Sequence, residues 1–290
     1  MSYLFGAKKY LKKAVMVLQK ILPKTIFDKF YSAMFPKYKT FVRKCYGAKS
    51  LGYRLSGNSK ALKMVKDIQN IMPYTLVGIG GLEATYRLSK MVNEKGIKGS
   101  FVELGVARGG CAALMAGIAF EQGDLNRQMW LFDSFEGLPD PTQDDYQSGE
   151  DGTGDHVRPL SRGECLGTLE EVKDLFLNKC RFPEDKVFFV KGWFQDTLPL
   201  KGKEVGDIAV LRIDGDWYES TKCCLEQLYD RVVSGGAVII DDYQSCYGCK
   251  KAVDEFLLHR DLDVDISLDG RGGCFFIKSD QIAKNEGNAI

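Results

Sequence analysis

No stretch of this 290-residue chain is apolar over the ~20 residues that a membrane-spanning helix requires. Lysines interrupt every apolar stretch near the N-terminus, so that end does not read as a secretory leader. Paired cysteine spacing is also missing. Of nine cysteines, only Cys223-Cys224 and Cys246-x-x-Cys249 lie close together. Without an export signal, reduced thiols are expected rather than a disulfide framework. Histidine is scarce: His156 and His259 are the only two, and they make no second ligand pair at the spacing a structural zinc site needs. No internal repeat is visible. Acids are nearly absent from residues 1–63, where Asp28 faces fifteen Lys or Arg. The remainder carries 25 basic and 38 acidic residues, a net of −13, under an overall charge of +1.

That asymmetry implies two segments with different jobs. The first, residues 1–65, is expected to be a basic amphipathic helical arm. Leu4, Leu11, Val15, Leu18 and Leu22 recur at helical spacing among lysines, and Pro23 should end or kink that helix. Phe27, Phe30, Tyr31, Met34 and Phe35 make a second amphipathic stretch before Pro36. Such an arm suits either an anionic membrane surface or a protein face. Lysine clusters alone supply phosphate affinity, but no base-reading module is present, so nucleic acid is not expected as a partner.

From residue 66 onward, helix and strand patterns alternate. Helices are expected over 82–93, 109–121, 164–178, 219–232 and 249–259. Strands are expected over 100–104, 129–132, 186–190, 208–213, 237–240, 264–268 and 274–278. This alternation predicts an α/β fold with a mostly parallel sheet covered by helices on both faces. A closing hairpin through Gly270-Arg271-Gly272-Gly273 should add an antiparallel edge. The acidic connection 136–163 interrupts the rhythm and reads as a substrate lid or a solvated loop.

Three strand ends carry chemistry. Glu103-x-Gly105-x-x-x-Gly109-Gly110 follows the first strand. It departs from the dinucleotide fingerprint, because position 107 is alanine and the next glycine falls four residues after Gly105. An acid before such a turn suits a cationic group, such as the amino-acid end of S-adenosylmethionine. Asp133, ending the next strand, is placed to accept hydrogen bonds from a ribose diol. The plainer reading of Gly105 and Gly109 is tight strand-to-helix packing. Asp214 and Asp241 close two apolar runs. On neighbouring parallel strands their ends would lie about 5 Å apart, and a shared cation would explain why like charges converge. Asp242 can join only if the chain turns there. Carboxylates of this kind suit Mg²⁺ better than zinc. The alternative is that Asp216 or Asp242 caps the next helix.

These stretches resemble the macrocin O-methyltransferase family. The resemblance lies in Phe101–Gly110, Phe132-Asp-Ser-Phe-Glu-Gly-Leu-Pro139, Gly192-Trp-Phe-Gln-Asp-Thr-Leu-Pro199, Leu211-Arg-Ile-Asp-Gly-Asp-Trp-Tyr-Glu-Ser-Thr221 and Ile240-Asp-Asp-Tyr243. It spans residues 72 to 278 and leaves the arm outside. It implies a class I methyltransferase sheet of seven strands, the last antiparallel. It also implies S-adenosylmethionine as methyl donor and Mg²⁺ on Asp214, Asp241 and Asp242, chelating adjacent hydroxyls of a sugar. The implied cofactor set is Thr75, Glu103, Gly105, Arg108, Gly109, Asp133 and Ser134, with Tyr74-Thr75-Leu76 closing over the methionine end. Gly78-Ile-Gly-Gly81 is a departure from the family pattern.

The expected reaction is methyl transfer to a metal-chelated sugar hydroxyl of a glycan or glycosylated metabolite, with Asp214 taking the proton and His156 as the rival base. Trp193 and Tyr218 are candidate apolar walls, though core packing is the plainer reading of both. The alternatives are a catechol-type or other vicinal-diol O-methyltransferase, and a non-catalytic scaffold at a membrane surface. A cytoplasmic homo-oligomer is expected, with residues 1–60 in possible peripheral contact with anionic membrane.

Overall fold

Residues 21, 24–121, 123–147 and 159–279 are described by a computed structural model. They divide between two compact units, Met1–Gln69 and Asn70–Ile290. In the first, helix α1 spans Lys24–Leu55 and α2 begins at Ser59 and ends at Ile71. The second amphipathic stretch does not stop at Pro36: α1 is one 32-residue helix that runs through it. A proline removes a single N–H from the ladder, and a helix of this length keeps the remaining bonds. The expected helix around Leu4–Leu22, ended by Pro23, falls outside the described residues.

In the second unit, α3 (Ile79–Glu94) leads into β1 (Ser100–Leu104). Helix α4 (Gly110–Ala119) and β2 (Met129–Asp133) follow. The chain continues through α5 (Leu169–Lys173), β3 (Val187–Lys191) and α6 (Phe194–Lys201). It then forms β4 (Ile208–Ile213), α7 (Tyr218–Leu228), β5 (Val232–Ile240) and α8 (Tyr247–His259). Two short strands close it, β6 (Ser267–Leu268) and β7 (Cys274–Ile277).

The seven strands form one sheet in the order β3-β2-β1-β4-β5-β7-β6. β1 to β5 are parallel, and β7 runs antiparallel to both β5 and β6. The closing hairpin therefore inserts β7 inside the sheet and leaves β6 at the edge. Every residue of β1 and β4 is buried, as a strand covered on both faces requires. At the edge where strands enter, buried Arg127 ties the approach to β1 together. Its guanidinium donates to Asn93 Oδ1 at 2.6 Å, Gly99 O at 2.8 Å and Ile97 O at 2.7 Å.

Several boundaries differ from the expectation. The helix expected over 164–178 begins only at Leu169, because Thr168 caps it in a capping box with Glu171, and it ends in a π-helical stretch, Asp174–Lys179. The expected helix end at 232 is a strand start, and β5 is nine residues long rather than four. Gly235-Gly236 breaks the apolar pattern that would have marked its first half. Helix α6 was not expected; Pro199 lies inside it.

Candidate active site

The turn after β1 begins with Gly105, whose φ is +86°. A Cβ there would fall 1.8 Å from the Asp214 carbonyl oxygen, so only glycine lets β1 and β4 end side by side. Gly109, at φ +82°, packs against Val172 and Leu175, which fits the plain packing reading. Gly110 faces the Tyr74 carbonyl and Thr75, so the 74–76 segment lies across the start of α4. Thr75 Oγ1 accepts from Val77 N at 3.1 Å. Arg108 is exposed on the turn.

Asp133, at the end of β2, holds this turn in place. Its Oδ2 accepts from Val106 N at 2.7 Å and Ala107 N at 2.9 Å, and its Oδ1 from Phe135 N at 2.6 Å. Burial pushes its carboxyl up while these three N–H groups pull it down. Ser134 donates to Gly137 O and accepts from Glu136 N, both at 3.0 Å.

The two acid clusters meet as the strand order requires. β4 and β5 pair with Ile213 opposite Ile240, so Asp214 and Asp241 leave adjacent strands together. The chain turns directly after Ile240, and that turn brings Asp242 back to the same side. Ligand oxygens of Asp214, Asp241 and Asp242 all lie within 4.8 Å of one another. Asp242 lies equally near Asp216 and Cys246. Neither Asp216 nor Asp242 caps a helix; the N-cap residues are Trp217 and Cys246.

At the centre of these acids sits a residue that the apolar pattern of β4 concealed. Arg212 is wholly buried. Its Nη1 donates to Glu103 Oε1 at 2.7 Å and to Asp214 Oδ2 at 2.9 Å, and its Nη2 donates to Asp241 Oδ1. One guanidinium thus ties the ends of β1, β4 and β5. The expectation that a shared cation explains why the acids converge thus gains a second explanation, since Arg212 already supplies positive charge between them. It also relocates Glu103, which is 1% exposed and bound to Arg212 rather than open to a cofactor amine. Burial pushes Glu103 up to about 7, with Arg212 opposing. Its Oε2 is buried without a partner.

The other acids divide by charge environment. Burial, then Asp241, pushes Asp214 well above the carboxylate range. Burial and Asp241 also raise Asp242. Burial would raise Asp241 too, but Arg271 and Arg212 outweigh it and hold that carboxyl low. The fit of a divalent cation can be read from the donors. Three oxygen ligands converge, and each carboxylate has about four lone-pair positions, more than its present bonds consume. The donor set therefore fits a hard cation.

These strand ends open into one cavity of about 540 Å³. Its lining includes Gly105, Asp133 and Ser134 on one side and Asp214, Asp241 and Asp242 on the other. Trp193 and Trp217 supply apolar wall. Tyr218, the other candidate, does not line the cavity; it is buried, as the packing reading has it, and its hydroxyl donates to Glu255 Oε2 at 2.7 Å. The acidic connection is anchored beside the cavity. Leu138 exchanges two 2.9 Å backbone bonds with Gly163 and Glu164. Buried Asp145 accepts from Tyr218 N and Thr142 N, each at 2.7 Å. His156, the rival base, lies outside the described residues.

Comparison with known proteins settles the family. Residues 9–278 match the model of the macrocin-O-methyltransferase (TylF) family. The chain belongs to the macrocin O-methyltransferase family. It is 38% identical over 205 residues to demethyldecarbamoylnovobiocin O-methyltransferase of Streptomyces niveus, covering 70% of this chain and 75% of that one. It is 37% identical over 201 residues to an 8-demethyl-8-(2,3-dimethoxy-alpha-L-rhamnosyl)-tetracenomycin-C 4'-O-methyltransferase of Streptomyces olivaceus, covering 69% and 74%. The solved O-methyltransferase NovP is similar at a TM-score of 0.61 and 37% identity, covering 71% of this chain and 82% of that one. The calicheamicin methyltransferase CalS11, at 22% identity and a TM-score of 0.52, shares the fold over 69% and 77%. The family match starts at residue 9, so much of the arm lies inside it, contrary to the expectation that the resemblance begins near residue 72. The chain is an S-adenosylmethionine-dependent O-methyltransferase with the class I methyltransferase fold.

Proposed function

We propose that this methyltransferase transfers methyl to a sugar hydroxyl held beside Mg²⁺, with Asp214, Asp241 and Asp242 as the residues that hold the ion. The observation that carries the reading is the convergence of these three carboxylates in the cavity that the Gly105 turn and Asp133 also line. The Streptomyces olivaceus relative is named for a rhamnosyl-bearing tetracenomycin, which supports a glycoside substrate of this kind.

The chain's own residues then have distinct tasks. The turn at Gly105 and the Thr75 segment cradle the methionine end of the methyl donor, and Asp133 offers acceptors to its ribose. When bound, Mg²⁺ supplies positive charge that makes a neighbouring hydroxyl more acidic. Asp214 takes the hydroxyl proton; its backbone touches Gly105, so base and donor site share one wall. Arg212 fixes Asp214 and Asp241 so that neither carboxylate must reorganise during the reaction. Trp193 and Trp217 exclude water from the attacking face.

Labelled S-adenosylmethionine offered with rhamnosyl glycosides and with catechols tests this. Turnover of glycosides that stops with EDTA and returns with Mg²⁺ is expected. Turnover of catechols alone would move the reading to a phenolic vicinal diol. Glycoside turnover that survives EDTA would remove the metal.

The arm supports a further role at an anionic membrane. On α1, Ile26, Phe30, Met34, Phe41, Leu51 and Leu55 are exposed. At 100° per residue they fall within one arc of about 100°, the apolar face of an interfacial helix. Among the described residues no helix is long and apolar enough to cross a membrane. Removing residues 1–60 should abolish sedimentation with anionic liposomes and leave methylation of a water-soluble glycoside intact. A truncated chain that still pellets would refute the role.

A further inference from the structure

Two glycine-rich stretches, 78–81 and 270–273, flank the acid cluster and pack on each other. A Cβ on Gly78 would meet Arg271 Cδ and Nε at 2.9 Å. One on Gly80 would meet the Asp269 carbonyl at 2.7 Å, and one on Gly81 would meet Asp269 Oδ2 at 3.2 Å. On the other side, Gly273 lies so close to the end of β5 that a Cβ would fall 2.7 Å from the Asp241 carbonyl. The missing side chains leave a slot into which the 269–273 turn seats. Asp269 Oδ1 makes that turn rigid, accepting from Arg271 N at 2.6 Å and from Gly272 N and Gly273 N at 3.0 Å.

What the slot delivers is one side chain. Arg271 Nη1 pairs with Asp241 Oδ2, the oxygen that Arg212 leaves free. The two arginines are unequal. Arg212 is wholly buried and shared by three carboxylates, so it cannot leave without exposing all three. Arg271 has one carboxylate partner among the described ion pairs, is 26% exposed and borders the cavity. Its positive charge lies on one of the three carboxylates that a divalent cation would use.

We propose that Arg271 is a resident counter-charge on Asp241 that a divalent cation must outcompete, so that this positioning residue sets the enzyme's affinity for the ion. The inference rests on Asp214, Asp241 and Asp242 being the cation ligands. In the ion-free enzyme Arg271 spares Asp241 an unpaired charge. On ion loading, repulsion between like charges drives the guanidinium off Asp241 Oδ2 and toward the cavity, where the slot keeps it beside the site.

Mn²⁺ binding to the full-length chain, followed by electron paramagnetic resonance, tests this without any turnover. Arg271→Met should bind Mn²⁺ on the order of tenfold more tightly than wild type. Arg271→Lys, which keeps the charge, should stay near wild type. Gly80→Ala keeps the arginine but forces the turn off its seat, so it should shift in the same direction as Arg271→Met; it carries the test if that variant does not fold. General loss of structure would weaken binding, so tightening is not a by-product of damage. Equal or weaker Mn²⁺ binding in Arg271→Met and Gly80→Ala, with wild type binding normally, overturns the inference alone. A loss of S-adenosylhomocysteine affinity with Mn²⁺ affinity unchanged would make Arg271 a cofactor ligand and also overturn it. Failure of every chain, wild type included, to bind Mn²⁺ overturns the metal reading and this inference with it.

Discussion

Asp214→Asn should lower the rate of methyl transfer by about three orders of magnitude while leaving S-adenosylhomocysteine affinity within a few-fold of wild type. The substitution is nearly isosteric. Asparagine keeps an oxygen to accept from Arg212 Nη1, so the tie between β1, β4 and β5 survives. Two things are lost together: the proton acceptor and a carboxylate oxygen from the converging ligand set. Cofactor affinity should hold, because the Gly105 turn is braced by the Asp214 backbone and by Asp133 rather than by the Asp214 carboxylate. Single-turnover transfer of a labelled methyl, with calorimetry of the product cofactor on the same sample, separates the two. A rate within tenfold of wild type would mean that another group takes the proton, and His156 would be the first to examine.

The second large effect is on stability. Arg212→Met should cost about 3–5 kcal/mol at neutral pH, because it leaves buried carboxylates without their counter-ion. Glu103 and Asp241 are 1% and 3% exposed and would be stranded in a low-dielectric interior. The loss should depend on pH, with a sign set by linkage. Glu103 already stands near 7 in the folded protein, against an ordinary 4.5, even with Arg212 opposing the shift. An acid whose folded pKa is raised penalises the fold increasingly as pH climbs from its unfolded value through its folded one. Removing Arg212 raises Glu103 further, so the penalty at pH 8 should exceed that at pH 5. Denaturant titrations of both proteins at these two pH values give the comparison. A pH-independent deficit would show that the cost comes from lost packing instead.

Much of the fold could be read along the chain because it depends on local pattern. β1 and β4 are unbroken runs of buried residues that stop at a carboxylate or a glycine, and their expected limits are the observed ones. Where local pattern misleads, the element is lost. Helix α6 was missed because Pro199 sits in it, and the first half of β5 because two glycines interrupt it. The helix before β3 starts late because a capping box, a short-range signal in Thr168 and Glu171, outweighs the longer apolar periodicity.

The candidate site divides in the same way. Strand-end acids and the glycine turn are visible as residues, so Asp214, Asp241, Asp133 and Gly105 could be named in advance. Whether Asp242 joins them depended on a turn that β5 makes after Ile240. The partners of these acids were not visible at all. Arg212 looks like a flaw in an apolar run. Its bonds reach Glu103, 109 residues earlier, and Asp241, 29 residues later. Arg271 reaches Asp241 from a loop 30 residues on.

From the linear chain alone came the alternating α/β order, the acids at the strand ends and the basic charge of the arm. Each is set by neighbours a few residues apart, through burial period and turn chemistry. Strand order was decided only in three dimensions, and with it the choice of which cations would stand against which carboxylates. A buried charge takes its partner from whichever strand lies about 5 Å to either side, and nothing in a residue's own surroundings along the chain names that strand.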